Sequence, residues 1–427
     1  MSLRLRSDSP LFNKFIDGLM ADRTLNNQHV DKTVTKMEEV ISKYSDKALM
    51  AYNKRLDNIT SKLLRIKVVH DIRGIDLRTL FDAKLIYDKA LIYHSSQLVG
   101  DKFYVDKDGI ILSSIRKPLS SVGIYISGEK ATYISSMFMN AVPARLAGVK
   151  HIYVVTSYNK IKNKRLFMAC ASICGVEYIY NLSGAQAIIA LALGTKIVRK
   201  VDKITGSGNI YVTCAKKKMF GRVEIDDLTG PLESIIIADD TSNEQRVSAD
   251  LASQLEHNES ALAILITKCP KKASAIRANI NSLVNSSFSS NNIKHNWSNY
   301  GLTIICKDSM SLYNIVKRIS PEHLYINILD AFKMMKWINS TGIIFLGKHS
   351  PIAIGGYISS CNHALTTGLS SGFTSTISVL NSTTKTSAIY LPTPESLKTI
   401  GKPCMELVVI ENMKIHALSI SCRLHGS

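Results

Sequence analysis

Two short clusters in this chain hold residue types that can do chemistry. The first lies in VSADLASQLEHNESALAILIT, residues 247–267, where Gln254 and His257 stand three apart. On a helix, positions i and i+3 share a face. An amide oxygen and an imidazole nitrogen would then point at one divalent metal. Read as ordinary surface, the same pair is an exposed glutamine and a histidine at the negative end of a helix dipole. The second cluster is Ser320-Pro321-Glu322-His323-Leu324, at the start of an apolar run, LYINI. The proline sets a turn, and a carboxylate and an imidazole then stand side by side at a strand mouth. Adjacent strand residues point to different sides, so one could handle a water and the other a substrate hydroxyl. An N-cap turn, Ser-Pro-Glu opening a helix, is the competing reading, and the residues alone leave both open.

Two weaker signals accompany these. Gly206-Ser207-Gly208-Asn209 closes the run KVDKIT and precedes a helical pattern. Glycines there let the backbone approach a phosphate or ribose. A full dinucleotide fingerprint wants a third glycine where Tyr211 stands, so a plain turn competes. His416, in ENMKIHALSI, lies five residues after Glu411. A single histidine in such a place is usually structural. His29, His70 and His94 read as solvated or capped surface histidines.

The elements that must position these residues show in the apolar pattern. From about residue 120, runs of five to seven apolar residues alternate with helical stretches: VGIYIS, HIYVVTS, VEYIYNL and KVDKITG, then SIIIADD, ALAILIT, GLTIICKD, LYINI and GIIFLG. Such alternation predicts parallel sheets covered by helices on both faces. The fold class is α/β: two Rossmann-like open parallel-sheet units, a helical N-terminal arm and a C-terminal helical tail. The expected division is an arm over 1–20, a discontinuous first α/β domain over 21–124 and 234–377, a second Rossmann-like domain over 125–233, and a tail domain over 378–427. In open sheets of this kind, ligands bind at the carboxyl ends of strands.

Composition excludes several classes. The 427 residues are 45% hydrophobic and 20% charged, an ordinary globular balance. The longest apolar patch, AIIALALG at 187–194, is far short of the ~18 residues of a membrane span. The N-terminus has no apolar signal core, so a cytoplasmic protein is expected. The net charge of +19 invites a nucleic-acid reading. Against it, the lysines are scattered, the tightest cluster is Lys216-Lys217-Lys218, and no basic stripe with interleaved aromatics appears. Neither nucleic acid nor membrane is an expected partner. The eight cysteines follow no framework spacing, and Cys170-x-x-x-Cys174 has no matching second pair.

Taken in order, the blocks MNAVPARLAGV, SGAQAIIALALGT, VDKITGSGNIYVTCAK, ADLASQLEH, ISPEHL, NHALTTG and ENMKIHA resemble those of the histidinol dehydrogenases along nearly the whole chain. The resemblance implies a homodimer with intertwined subunits that oxidises L-histidinol to L-histidine in two NAD-dependent steps, with one zinc per site. It implies that Glu322 activates the water that adds to the aldehyde and that His323 takes the hydroxyl proton. Gln254, His257 and His416 match zinc ligands, and with His323 and Glu411 they match substrate contacts. Tyr125, Gln186 and Asn209 match positions that touch NAD.

Several site positions depart from the family pattern. Gly356 stands where a zinc-binding aspartate is expected, which leaves three neutral ligands and a more weakly held metal. Leu232 replaces a substrate-contacting serine, Ser127-Gly128-Glu129 a Pro-Gly-Gly, Ser207 a proline, and Asn258 an aspartate. The expectation is a working histidinol dehydrogenase, impaired at the metal. The alternative is a decayed homologue kept as a folded dimer with little or no turnover.

Overall fold

The structure, a computed structural model, describes residues 3–10, 12–21, 28–58, 63–127, 134–228, 230, 232–256, 260–286, 290–358 and 376–425. Two six-stranded sheets carry the chain. The first contains β1 (Leu3–Arg6), β10 (Glu233–Ala238), β11 (Leu262–Thr267), β12 (Gly301–Ile305), β13 (His323–Asn327) and β14 (Ile343–Leu346), all parallel, in the order β1-β12-β11-β10-β13-β14. The second contains β2 (Arg65–Lys67), β5 (Ser121–Tyr125), β6 (His151–Thr156), β7 (Val176–Asn181), β8 (Lys203–Thr205) and β9 (Glu224–Ile225), in the order β2-β7-β6-β5-β8-β9. Only β2 runs antiparallel to its neighbour there. A three-stranded antiparallel sheet joins β3 (Lys102–Val105), β4 (Ile111–Pro118) and β15 (Thr383–Tyr390).

Leaving aside β1 and β2, each large sheet starts at an inner strand, winds one way for two strands, then returns to add two on the other side. This is the doubly wound α/β plan, with its topological switch between β5 and β8 and between β10 and β13. The expected fold class holds. The expected runs became strands because a parallel strand sealed on both faces must be largely apolar. Every residue of β5, β10, β11, β12 and β13 is buried.

The ends of the chain differ from the sequence-based expectation. Leu3–Arg6 is not part of a helical arm but the edge strand of the first sheet. The helix Gln28–Tyr44 buries Val30, Val34, Met37 and Ile41 against Tyr153, Tyr180 and Ile188, which places it on the second sheet. Its apolar stripe announces that a face must be covered but not which face. In the C-terminal segment, TTKTSAIY forms β15 where helix and loop were expected. That strand is almost wholly exposed, so it lacks the apolar run that marked the others. His94, read from the sequence as a surface histidine, is fully buried, with Nδ1 2.9 Å from Gln97 Oε1.

Candidate functional site

His323 is the first residue of β13, in register with Ser234 of β10 and Ile343 of β14. Strand alternation puts His323 and Tyr325 on one face, the face covered by the helix Glu244–Leu255, whose Val247, Leu251 and Leu255 share a core with Tyr325 and Phe345. Gln254 lies in the last turn of that helix, buried, and its Oε1 is 2.9 Å from His323 Nδ1. Its Nε2 donates to Ser253 Oγ at 3.2 Å, which turns the amide oxygen toward the ring. An amide oxygen only accepts, so Nδ1 carries the proton and Nε2 offers a lone pair. Glu322 Oε1 lies 4.0 Å from that Nε2, and the Phe345 ring packs against the imidazole nearly perpendicular to it, with centroids 6.0 Å apart. Both Glu322 and His323 are buried. A carboxylate beside the second nitrogen of an oriented imidazole can accept and pass on protons.

Two expectations change here, and one open alternative closes. Ser320 does not open a helix. It ends Ser309–Ile319 as a left-handed C-cap at φ 46°, and the chain enters β13 directly. Glu322 and His323 do not diverge, because Glu322 precedes the strand and escapes its alternation. The pair also sits at the amino edge of the first sheet, not the carboxyl edge. A helix that follows β10 runs back against it, so its last turn, with Gln254, returns to the amino edge.

One turn before Gln254 lies Asp250, which the sequence reading passed over. Burial pushes its carboxyl up to about 6, against the pull of the Ile352 N–H that it accepts. That bond ties the turn Ile352–Ile354, and the short helix Gly355–Ile358 with buried Gly356, to the Gln254 helix. The available signal was spacing: 247, 250, 251 and 254 fall on one helical face, and its acidic member is buried with the rest. Leu232, directly before β10, is buried, and its carbonyl accepts the Leu262 N–H at 2.9 Å.

The expected metal donors are not all placed at this edge. The Gln254 helix ends at Leu255, and His257 and Asn258 lie outside the described residues. Glu411 caps Pro394–Ile410, His416 lies in the first turn of Lys414–His425, and both are exposed. Among the described residues no group of three His, Cys, Asp or Glu side chains could hold a metal. Gln254 Oε1, with one lone pair engaged by His323 and one left, is the described donor here.

The second sheet gathers the other candidates at its carboxyl edge. Tyr125 ends β5, and its hydroxyl accepts the Gly184 N–H at 3.1 Å. Gln186 is buried in the first turn of the next helix, Gly184–Leu193, and its Nε2 donates to Asp57 Oδ2 at 3.1 Å. Ser183 Oγ donates to the other oxygen of Asp57 at 2.6 Å. Asn209 caps the helix Ile210–Met219, accepting the N–H groups of Tyr211 at 3.1 Å and Val212 at 3.2 Å. Gly206 has φ +106°, and a Cβ there would lie 2.0 Å from the Tyr125 carbonyl oxygen. Only glycine fits so close to a neighbouring strand. Thr156 Oγ1, Ser157 Oγ, Asn181 Nδ2 and Thr205 Oγ1 are buried at the same edge without hydrogen-bond partners. A glycine turn at a helix N-terminus, at the switch between β5 and β8, with spare polar atoms beneath it, fits a dinucleotide. Gly128 and Glu129 lie outside the described residues.

The two edges belong to one neighbourhood. The segment leaving β9 reaches β10 in the seven residues 226–232, which span at most about 25 Å fully extended. The basic cluster noted in the sequence dissolves: Lys216 is fully buried and paired with Asp226. No helix among the described residues is long and apolar enough to cross a membrane.

Residues 20–424 match the family model for histidinol dehydrogenase. The chain is 34% identical over 434 aligned positions to the histidinol dehydrogenase of Brucella suis biovar 1, covering all of both chains. It is 35% identical over 402 positions to that of Sulfurimonas denitrificans, covering 93% of each. The crystal structure of histidinol dehydrogenase from Elizabethkingia anophelis superposes with a TM-score of 0.89 at 26% identity, over 99% of this chain and 98% of that one.

Proposed function

The chain belongs to the histidinol dehydrogenase family of NAD-dependent oxidoreductases, and on that premise we propose that it oxidises L-histidinol to L-histidine through the aldehyde, the last step of histidine biosynthesis, with two NAD+ per product. The observation that carries the reading is the triad of Gln254, His323 and Glu322, with 2.9 Å between the first two and 4.0 Å between the last two. Gln254 holds the His323 tautomer. His323 Nε2 takes the hydroxyl proton in each oxidation. Glu322 takes the proton of the water that adds to the aldehyde. Burial excludes bulk water from these transfers. NAD, when bound, supplies the hydride acceptor, and Tyr125, Gln186 and Asn209 form its bed.

Zinc, when bound, orients and polarises the substrate alcohol. One amide oxygen and two imidazole nitrogens, from Gln254, His257 and His416, are chemically suited to it. Glu411 and His416 reach a site only through a second subunit in this reading, which makes the enzyme a homodimer. Support comes from the apolar surface of the last two helices, where Leu407, Ile410, Ile415 and Leu418 are all more than half exposed. The free thiols of the seven described cysteines suit a reducing cytoplasm.

Purified protein given zinc, L-histidinol and NAD+ is expected to produce NADH, more slowly than a relative with a full ligand set. Gly356→Asp is expected to raise both retained zinc and rate, roughly ten-fold or more. No NADH from either protein would favour the decayed homologue.

A further inference from the structure

The turn 206–209 is held by a buried ion pair that no step of the reaction uses. Lys216, two turns into the helix Ile210–Met219, sends Nζ back to the Gly206 carbonyl at 3.0 Å. The same ammonium pairs with Asp226 Oδ1. Asp226, just past β9, accepts the Gly206 N–H on Oδ2 at 2.7 Å. Its Oδ1 also accepts the Asp227 N–H at 2.8 Å. Both polar groups of one peptide residue are thus clasped by opposite charges, and both charged side chains are sealed from solvent at 0% and 1% exposure. On its other side Gly206 is pressed against Tyr125.

Buried ion pairs rarely add net stability, because dehydrating two charges offsets their attraction. A pair of apolar residues would fill this space more cheaply. What apolar residues cannot do is fix a carbonyl and an N–H in direction. We propose that Lys216 and Asp226 are positioning residues for the dinucleotide: they lock the backbone of Gly206, and through it the cap at Asn209, into the shape that accepts the pyrophosphate and ribose. This rests on the NAD reading of the carboxyl edge of the second sheet. The pair acts through the turn and touches neither substrate nor reacting atoms.

The test uses the purified dimer and three variants: Lys216→Met, Asp226→Asn, and the double Lys216→Met/Asp226→Leu. The double variant leaves no unpaired charge but removes these partners from the Gly206 carbonyl and N–H and the Asp227 N–H, so it is expected to fold with a lower urea midpoint than the parent. NAD+ affinity is measured directly by calorimetry, and KM and kcat by NADH formation. In all three variants the KM and Kd for NAD+ are expected to rise roughly ten- to a hundred-fold, as for a group misplaced by about 1 Å. KM for L-histidinol, and kcat at saturating NAD+, are expected to stay within about three-fold. Unchanged NAD+ affinity in the double variant overturns the proposal. So does a uniform loss of all kinetic constants, or failure of the double variant to fold, since the pair would then serve the fold alone. If the parent protein itself binds no NAD+ in calorimetry, the cofactor reading fails and the proposal with it.

Discussion

Asp250 is a carboxylate held where charge is expensive. Its folded pKa, about 6, lies above the value near 4 of an unfolded chain. The native state therefore binds the proton more tightly than the unfolded state between those values. Stability contributed by this group rises as pH falls from about 7 to about 4, and above about 6 it is a standing cost. Asp250→Asn removes the titration and keeps an oxygen for the Ile352 N–H. The difference in unfolding free energy between variant and parent should therefore favour the variant at pH 7, by on the order of 2 kcal/mol, and vanish near pH 4. Urea titrations at both pH values measure it, and a pH-independent difference would remove the burial argument. The sequence signalled the neighbours of Asp250 better than Asp250 itself. Glu322 beside His323 stands out as a pair of reactive types at adjacent positions. An aspartate between helical residues reads as solvent-facing until the helix is docked.

At the scale of elements, the turn after β8 is the most constrained in the second sheet. Gly206 combines a left-handed backbone, at φ +106°, with a neighbouring strand where a side chain would go. In Gly206→Ala the methyl would meet backbone atoms of Tyr125, which cannot swing aside as a side-chain tip can. Strain from the dihedral alone is about 1–3 kcal/mol, and the overlap adds to it. The expected outcome is a drop of more than about 2 kcal/mol in unfolding free energy, together with weakened NAD+ binding. A variant of parental stability would mean that the turn relaxes freely. The same scale shows where sequence reading reaches. The central strands of both large sheets were legible because burial on two faces favours a nearly continuous apolar run, with polar residues such as Glu233, His323 and Asn327 at strand ends. β1, β3, β4 and β15 were not, since an edge or solvent-facing strand can be as polar as Thr383–Tyr390. The Gln254 helix was legible, but its end at Leu255 was not, and His257 lies outside the described residues.

At the scale of the whole molecule, the buried and exposed halves of the proposed site call for a second copy of the chain. Gln254, Glu322 and His323 are buried at the amino edge of the first sheet, while Glu411 and His416 stand on exposed terminal helices among Leu407, Ile410, Met413 and Ile415. A closed two-fold dimer would bury that apolar surface and give each site one set of terminal residues from the other subunit. Such an arrangement makes a specific demand on mixed dimers. His323→Ala and His416→Ala are each expected to be inactive alone. Co-expressed in equal amounts, half of the dimers carry one subunit of each kind. In each of these, one site holds both lesions and the other holds neither. The mixture should therefore recover about one quarter of parental activity per chain, the proportion set by random pairing in a closed dimer. Purifying the mixed dimer through two different affinity tags should raise this to about one half. If each site is built within one chain, every site carries a lesion, and both preparations stay as inactive as the single variants. The activity of the tagged mixed dimer thus decides whether His416 serves its own subunit or the other one.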